Sequence, residues 1–304
     1  MSSRPCPFTG SIVALVTPFR DGEIDYPALD ALVDRQIATG QKGLVPCGST
    51  GESATLTHDE HARVVEAVVR RAAGRVPVIA GTGSNSTAEA IHLTREAEAA
   101  GASGALLISP YYNKPTQDGI YAHYRAVAES TSLPILVYNI PGRTASNIEP
   151  STLARLAEID NIVAVKDSPA SIDHVMDTIA LCGDRLAVLS GDDSLTLPMV
   201  SLGAVGVISA VANVIPAEMA RLADLALEGR FPEALELHYS ILPVMRACFL
   251  EINPIPVKAA LAMLGQCRED VRLPLTSISR GARERLRQTL AGFGLPVGEE
   301  TAAR

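Results

Sequence analysis

Short runs of Val, Ile, Leu and Ala, bounded by Gly, Pro, Ser or Asn, alternate along the chain with longer amphipathic segments. The runs fall at 12–16, 43–46, 76–80, 105–108, 135–138, 162–166, 186–190 and 205–209. Each is nearly continuously apolar, which predicts parallel strands covered on both faces rather than strands with one wet side. A spacing of about 25–35 residues suits one strand plus one crossover helix, so eight units predict an α/β fold, a (β/α)8 TIM barrel. Thr57-His58-Asp59-Glu60 reads as a capping box opening a helix, and 62–73, 88–100 and 151–158 carry helix-favouring residues. After residue 210 the strand pattern stops, and from about 215 the chain reads as helical with breaks at Gly229, Asn253-Pro254-Ile255-Pro256 and Leu273-Pro274. The expected division is a barrel over 1–230 and a C-terminal helical domain over 231–304.

The rival architecture is a doubly wound open sheet, for which Gly81-Thr82-Gly83-Ser84-Asn85-Ser86 gives superficial support. Its third glycine position holds Ser86, and the following strand ends Leu107-Ile108-Ser109 with no acidic residue for a ribose, so a dinucleotide site is not expected.

Composition narrows the function. A chain of 304 residues that is 47% hydrophobic and 20% charged has the make-up of a globular protein with a sizeable core. A net charge of -8 disfavours nucleic acid and anionic membrane as partners, and no apolar stretch is long enough to span a bilayer. The five cysteines, Cys6, Cys47, Cys182, Cys248 and Cys267, show no C-x-x-C spacing, and the first residues lack an apolar signal core; a reduced, cytoplasmic protein is expected.

In such a barrel the reacting groups lie on the loops that follow the strands. Lys166 ends the sixth run and is followed at once by Asp167-Ser168-Pro169, so its amine is expected at the mouth of a buried strand. A lysine attacks a carbonyl only when neutral, and lowering its pKa from ~10.4 to near 7 requires desolvation or like-charge repulsion worth roughly 4 to 5 kcal/mol. The other lysines are worse placed: Lys42 lies between a helix and a strand, Lys114 on a loop, and Lys258 in the helical tail. Gly48-Ser49-Thr50-Gly51 can converge backbone N–H groups and two hydroxyls on a carboxylate. Tyr111, Tyr112 and Tyr138 fall at strand mouths, where a phenol can pass protons, and Arg143 offers a cation for a second carboxylate. The six histidines sit on helices, which argues against a zinc centre, and Cys47 reads as packing.

Five segments, 47–53, 109–115, 138–144, 165–167 and 253–258, together resemble the pyruvate-dependent class I aldolase superfamily, and within it the dihydrodipicolinate synthase family; the similarity runs in order over nearly the whole chain. The resemblance implies that Lys166 forms an imine with pyruvate, whose enamine attacks aspartate 4-semialdehyde in diaminopimelate and L-lysine biosynthesis, without a cofactor. It implies Tyr138 as proton donor and acceptor, with Ser49 and Tyr112 completing a hydroxyl relay and Tyr112 lent by a neighbouring subunit. Ser49 and Thr50 would hold the pyruvate carboxylate, Gly191 and Ile208 would shape the site, and Arg143 would bind the semialdehyde carboxylate. Ser53, Ala54, Leu56, His58, His61, Asn85, Glu89 and Tyr111 match a site for inhibitory L-lysine, and the family suggests a homotetramer built from two tight dimers. Ser49 departs from the threonine usual in these synthases, as in sialic acid lyases and sugar-acid aldolases, the alternative reading. Arg143 argues for the synthases over those aldolases. A non-catalytic ligand-binding barrel is the remaining alternative, and the retained Lys166, Tyr138, Tyr112 and hydroxyl at 49 count against it.

Overall fold

The computed structural model describes residues 6–169 and 171–298. Eight parallel strands form the barrel: β1 (Gly10–Ala14), β4 (Gly43–Val45), β5 (Ile79–Gly81), β6 (Gly104–Ile108), β7 (Ile135–Asn139), β8 (Ile162–Asp167), β9 (Ala187–Ser190) and β10 (Gly206–Ser209). A small antiparallel hairpin, β2 (Phe19–Arg20) with β3 (Glu23–Ile24), follows β1 and was not foreshadowed by the apolar pattern. The sheet runs β4-β1-β10-β9-β8-β7-β6-β5, and its edges close through a bridge between Leu44 and Val78, with Leu44 N–H donating to the Pro77 carbonyl (3.0 Å) and Gly81 N–H to that of Pro46 (2.9 Å). The predicted fold class is thus the observed one.

The helices outside the barrel are α1 (Tyr26–Ala38), α2 (His58–Ala72), α3 (Thr87–Ala99), α4 (Gln117–Ala128), the single turn α5 (Pro141–Thr144), α6 (Pro150–Leu156), α7 (Ile172–Cys182), α8 (Thr196–Ser201) and α9 (Pro216–Leu227). Thr57 caps α2 in a full capping box with Glu60, as the sequence predicts. Three further helices, α10 (Phe231–Ala247), α11 (Ile255–Met263) and α12 (Arg280–Gly292), make up the C-terminal part; α10 packs on α9 and on the turn at Asp193–Leu195, and α11 on the turn at Val211–Asn213. The ends of the two expected domains, 1–5 and 299–304, lie outside the described residues.

Because strand side chains alternate, each strand feeds two cores. Ile12, Ala14, Val45, Ile79, Leu106, Leu136, Tyr138, Ala164, Leu189 and Ile208 fill the barrel interior, while Val13, Leu44, Leu107, Val137, Val165 and Val207 pack outward against the helices. Tyr138 and Lys166 share the inward phase of adjacent strands and are direct register partners. The phase also sends Asn139 and Asp167, again register partners, to the helix side. The glycines of the 81–83 motif serve this packing rather than a phosphate. A Cβ at Gly81 would lie 2.3 Å from the Cys47 carbonyl oxygen, and one at Gly83 2.2 Å from the Ile108 nitrogen.

Candidate active site

All four lysines can now be compared. Lys42 is exposed, 3.9 Å from Asp224, and Lys114 is exposed on its loop. Lys258 is fully buried with its Nζ 2.6 Å from Glu52 Oε1, so its charge is matched. Lys166 is 6% exposed, and among the described residues it has neither an ion-pair partner nor a hydrogen-bond acceptor; its Nζ sits 4.1 Å from the centre of the Tyr138 ring. A desolvated amine without a carboxylate is the arrangement a Schiff-base nucleophile requires.

Lys166 opens into a cavity of about 70 Å³ at the C-terminal end of the barrel, lined also by Ser49, Thr50, Tyr138, Arg143, Gly191, Ile208 and Asn253. Behind β4 the chain turns tightly, with Gly51 and Ser53 N–H donating to the Gly48 carbonyl and Glu52 N–H to that of Ser49. The N–H groups of Ser49 and Thr50 have no partner among the described residues, so two donors and the Ser49 hydroxyl remain for a carboxylate. Gly191 lets β9 approach β8: its N–H donates to the Asp167 carbonyl (2.7 Å), and a Cβ there would lie 2.2 Å from Ser168 Oγ. Arg143, on α5 at the mouth, donates from Nη2 to the Asn253 carbonyl (3.0 Å) and stays largely exposed.

The loops after β9 and β10 are fastened by Asp193. Its buried carboxylate accepts from the Ser209 hydroxyl and from Ala210 N–H (3.3 Å) and Val211 N–H (3.4 Å). Burial pushes its carboxyl up to about 6, against the lowering effect of Ser209. A carboxyl whose folded pKa exceeds its unfolded value binds its proton more tightly in the folded state, so its contribution to stability falls as pH rises from about 4 to about 6. Asp193→Asn is expected to remove a loss on the order of 3 kcal/mol across that window. Urea midpoints measured from pH 4 to 7 check this, and an unchanged pH slope in the variant contradicts it.

Beside the small cavity lies a larger cleft of about 420 Å³, sharing Ser49, Tyr138 and Arg143 with it and lined by Ser53, Ala54, Leu56, His58, His61, Glu89 and Tyr111. Glu89 is held below the usual carboxylate range by Ser84 and by His58, whose Nε2 lies 2.8 Å from it. His61 Nε2 must donate to the Gly81 carbonyl (2.7 Å), which leaves Nδ1 as a buried acceptor without a partner among the described residues. Two predicted site residues line neither cavity: Asn85, whose carbonyl accepts from Asn113 Nδ2 (2.9 Å), and Tyr112, which is 89% exposed with φ at +71°. Cys47 is buried, and desolvation drives its thiol upward, away from nucleophilic use.

The model of the dihydrodipicolinate synthetase family matches residues 7–292. The chain belongs to that family. It is 53% identical over 288 residues to the 4-hydroxy-tetrahydrodipicolinate synthase of Pelobacter propionicus, covering 95% of this chain and 99% of that one. The crystal structure of dihydrodipicolinate synthase from Aquifex aeolicus is 50% identical, with a TM-score of 0.95 over 96% of this chain and 100% of that chain. That of the enzyme from Cyanidioschyzon merolae with lysine bound is 41% identical, with a TM-score of 0.92 over 95% and 99% of the two chains.

Sequence reasoning missed the residues that brace this family member's site from afar. Asn253 donates from Nδ2 to Thr50 Oγ1 (2.8 Å) while its carbonyl receives Arg143, so one residue of the C-terminal part holds both the turn after β4 and the cation at the mouth. Glu52 ends the same loop in the left-handed region (φ 54°), its carboxylate shared between Lys258 and the Arg272 N–H (3.0 Å). The available signal was Asn253-Pro254-Ile255-Pro256-Val257-Lys258, a breaker-rich segment inside a helical tail; it reads as interruption until its partners are known.

Proposed function

We propose that the chain is a lyase catalysing the 4-hydroxy-tetrahydrodipicolinate synthase reaction: condensation of pyruvate with L-aspartate 4-semialdehyde through an imine on Lys166, in diaminopimelate and L-lysine biosynthesis. The observation that carries this reading is the buried Lys166 amine, unpaired among the described residues, in one cavity with Ser49, Thr50 and Tyr138 and with Arg143 at its mouth. Membership of the family and 53% identity over nearly the full length to a relative of that name support it.

The neutral amine of Lys166 attacks the pyruvate ketone carbon, and the carbinolamine loses water to give the imine. Ser49 and Thr50 hold the pyruvate carboxylate with their free N–H groups and the Ser49 hydroxyl. Tyr138 donates and accepts the protons of this exchange, and loss of a methyl proton gives the enamine. Its carbon attacks the aldehyde of the semialdehyde, whose carboxylate pairs with Arg143. Attack of the semialdehyde amine on the imine carbon then closes the ring and returns Lys166. These steps balance without a cofactor. Gly191 and Ile208 shape the wall through their backbone.

Tyr112 supports a partner role by its exposure, since a phenol turned away from its own cavity is free to enter the site of a second copy. The assembly we propose is a dimer of dimers with Tyr112 completing the Ser49–Tyr138 relay across the tight interface. Five free thiols fit a reducing cytoplasm. No described helix is long and apolar enough to cross a membrane. Residues 1–230 would act as the catalytic barrel and 231–304 as a bracing helical domain.

Arg143→Ala is expected to lower kcat/KM for the semialdehyde by about 100-fold, the worth of a charge-assisted pair of 2 to 3 kcal/mol, while leaving imine formation with pyruvate intact. A turnover assay with aspartate 4-semialdehyde, run beside N-acetylneuraminate and 2-keto-3-deoxy sugar acids, tests the assignment. Cleavage of a sugar acid without semialdehyde turnover would transfer the chain to the sugar-acid aldolases.

L-Lysine is the effector we propose for the larger cleft: Glu89 and the Tyr111 hydroxyl suit its ammonium groups, and His61 Nδ1, without a partner among the described residues, offers an acceptor. Asn85 would act from the cleft rim. We expect a saturable calorimetric isotherm for L-lysine that Glu89→Ala weakens at least about tenfold, the equivalent of one charged contact. A flat isotherm would remove the effector site.

A further inference from the structure

The strand that carries Lys166 toward the cavity carries Asp167 to its other face, and the carboxylate there is fully buried. Oδ1 accepts from Asn139 Nδ2 at 3.0 Å. Oδ2 has no conventional hydrogen-bond donor among the described residues, and Nε2 of His174 on α7 lies 3.4 Å from it. Counting hydrogens shows which group that imidazole can engage. Asn139 Nδ2 has two, and they are taken by Asp167 Oδ1 and Asn147 Oδ1 (3.0 Å), although His174 Nε2 also lies 3.4 Å from it. The orientation of the amide is fixed independently, because Asn139 Oδ1 accepts from Ile148 N–H (3.0 Å). With both Asn139 hydrogens committed, His174 Nε2 is left facing Asp167 Oδ2, and a single proton on either atom joins the pair.

We propose that Asp167 and His174 are positioning residues for the imine lysine: the imidazole on α7, paired with the Asp167 carboxyl group, tethers the end of β8, and Asn139 passes that tether to β7 and to the segment after α5. The inference rests on Lys166 being the nucleophile. Asn139 adjoins Tyr138 and holds Asn147 and Ile148, which close the turn bearing Arg143. The Asp167 carbonyl holds Gly191 on the next loop (2.7 Å), and the Asn139 carbonyl accepts from Ser168 N–H (2.9 Å). Asp167 and Asn139 therefore link three strand ends that surround the cavity, two through their side chains and the third through the Asp167 backbone carbonyl. Burial raises the proton affinity of Asp167, and His174 and then Asn139 oppose this. Without His174 the Asp167 carboxyl group loses the polar partner that faces Oδ2, and the end of β8 relaxes together with the Lys166 backbone. A misplacement near 1 Å of an attacking group costs on the order of 100-fold in rate.

The test is the rate of imine formation with pyruvate alone, followed by timed borohydride trapping and mass spectrometry, together with steady-state kcat and KM for the aldehyde. His174→Ala is expected to slow imine formation by roughly 10- to 100-fold and to lower kcat correspondingly, with KM for the aldehyde changed by less than about threefold. His174→Gln, whose amide can donate to Oδ2, restores most of the rate; a role confined to stability would give neither the split nor the rescue. If His174→Ala does not fold, His174→Phe, which fills the space without a donor, takes its place. A folded donor-free variant that forms the imine at the unaltered rate overturns this inference alone. Failure of the unaltered protein to form an adduct on Lys166 overturns the reading of the active site, and this inference with it.

Discussion

Lys166→Ala is expected to lower kcat by at least about 1,000-fold while leaving the fold intact, because the covalent route through the imine disappears and no other described lysine can replace it. Lys258 is held by Glu52, and Lys42 and Lys114 lie outside the cavity. Lys166→Arg should be as inactive, since a guanidinium stays protonated and cannot add to a ketone. The stability of these variants is the informative part. A polar amine buried without a carboxylate or a hydrogen-bond acceptor among the described residues adds little to stability, so Lys166→Met is expected to unfold at the same or a higher urea concentration than the unaltered protein. Loss of activity with unchanged or raised stability separates a functional lysine from a structural one. A variant retaining more than about a tenth of the turnover would exclude the imine on this residue.

The second large effect has the opposite signature. Lys258 and Glu52 form an ion pair at 2.6 Å with side chains 0% and 1% exposed, and the ammonium also lies 4.2 Å from the centre of the Phe19 ring. Burial lowers the proton affinity of Lys258, and the Glu52 carboxylate opposes this only in part. Lys258→Met leaves the carboxylate buried with one oxygen unpaired, and is expected to cost about 3–5 kcal/mol of unfolding free energy. Because Glu52 ends the turn that presents Ser49 and Thr50, kcat/KM for pyruvate should fall as well, on the order of tenfold or more, as the turn loosens. Pairing Lys258→Met with Glu52→Leu removes both charges and should recover most of the stability. Urea unfolding of the single and double variants at pH 7 measures this. A single variant losing less than about 1 kcal/mol would show the pair to be incidental.

These two lysines also mark where sequence ceases to be informative. The eight strands were legible because parallel strands buried on both faces need continuous apolar runs, and such a run is a local property. The boundaries drifted where apolarity and hydrogen bonding part company. The run at 12–16 continues past β1, since Leu15 and Val16 are buried while the Val16 N–H leaves the ladder for the Asn213 side chain. The run at 76–80 begins before β5, since Pro77 has no N–H to give a ladder. Lys166 and Tyr138 could be placed because strand ends and the following turn formers are visible in order. Glu52 and Lys258 are 206 residues apart, and Asn253 and Thr50 are 203 apart, so neither pairing leaves a periodic trace. Asp167 and His174 were invisible for a different reason: each looked like an ordinary turn or helix residue until the strand phase put the carboxylate under α7.

The central claim is that one amine of the chain, on Lys166, carries the chemistry. Incubation with pyruvate and borohydride, followed by peptide mass spectrometry across all four lysines, tests it most directly. The expected result is a reduced pyruvate adduct on Lys166 and on none of Lys42, Lys114 or Lys258. An adduct elsewhere, or none at all, would contradict it.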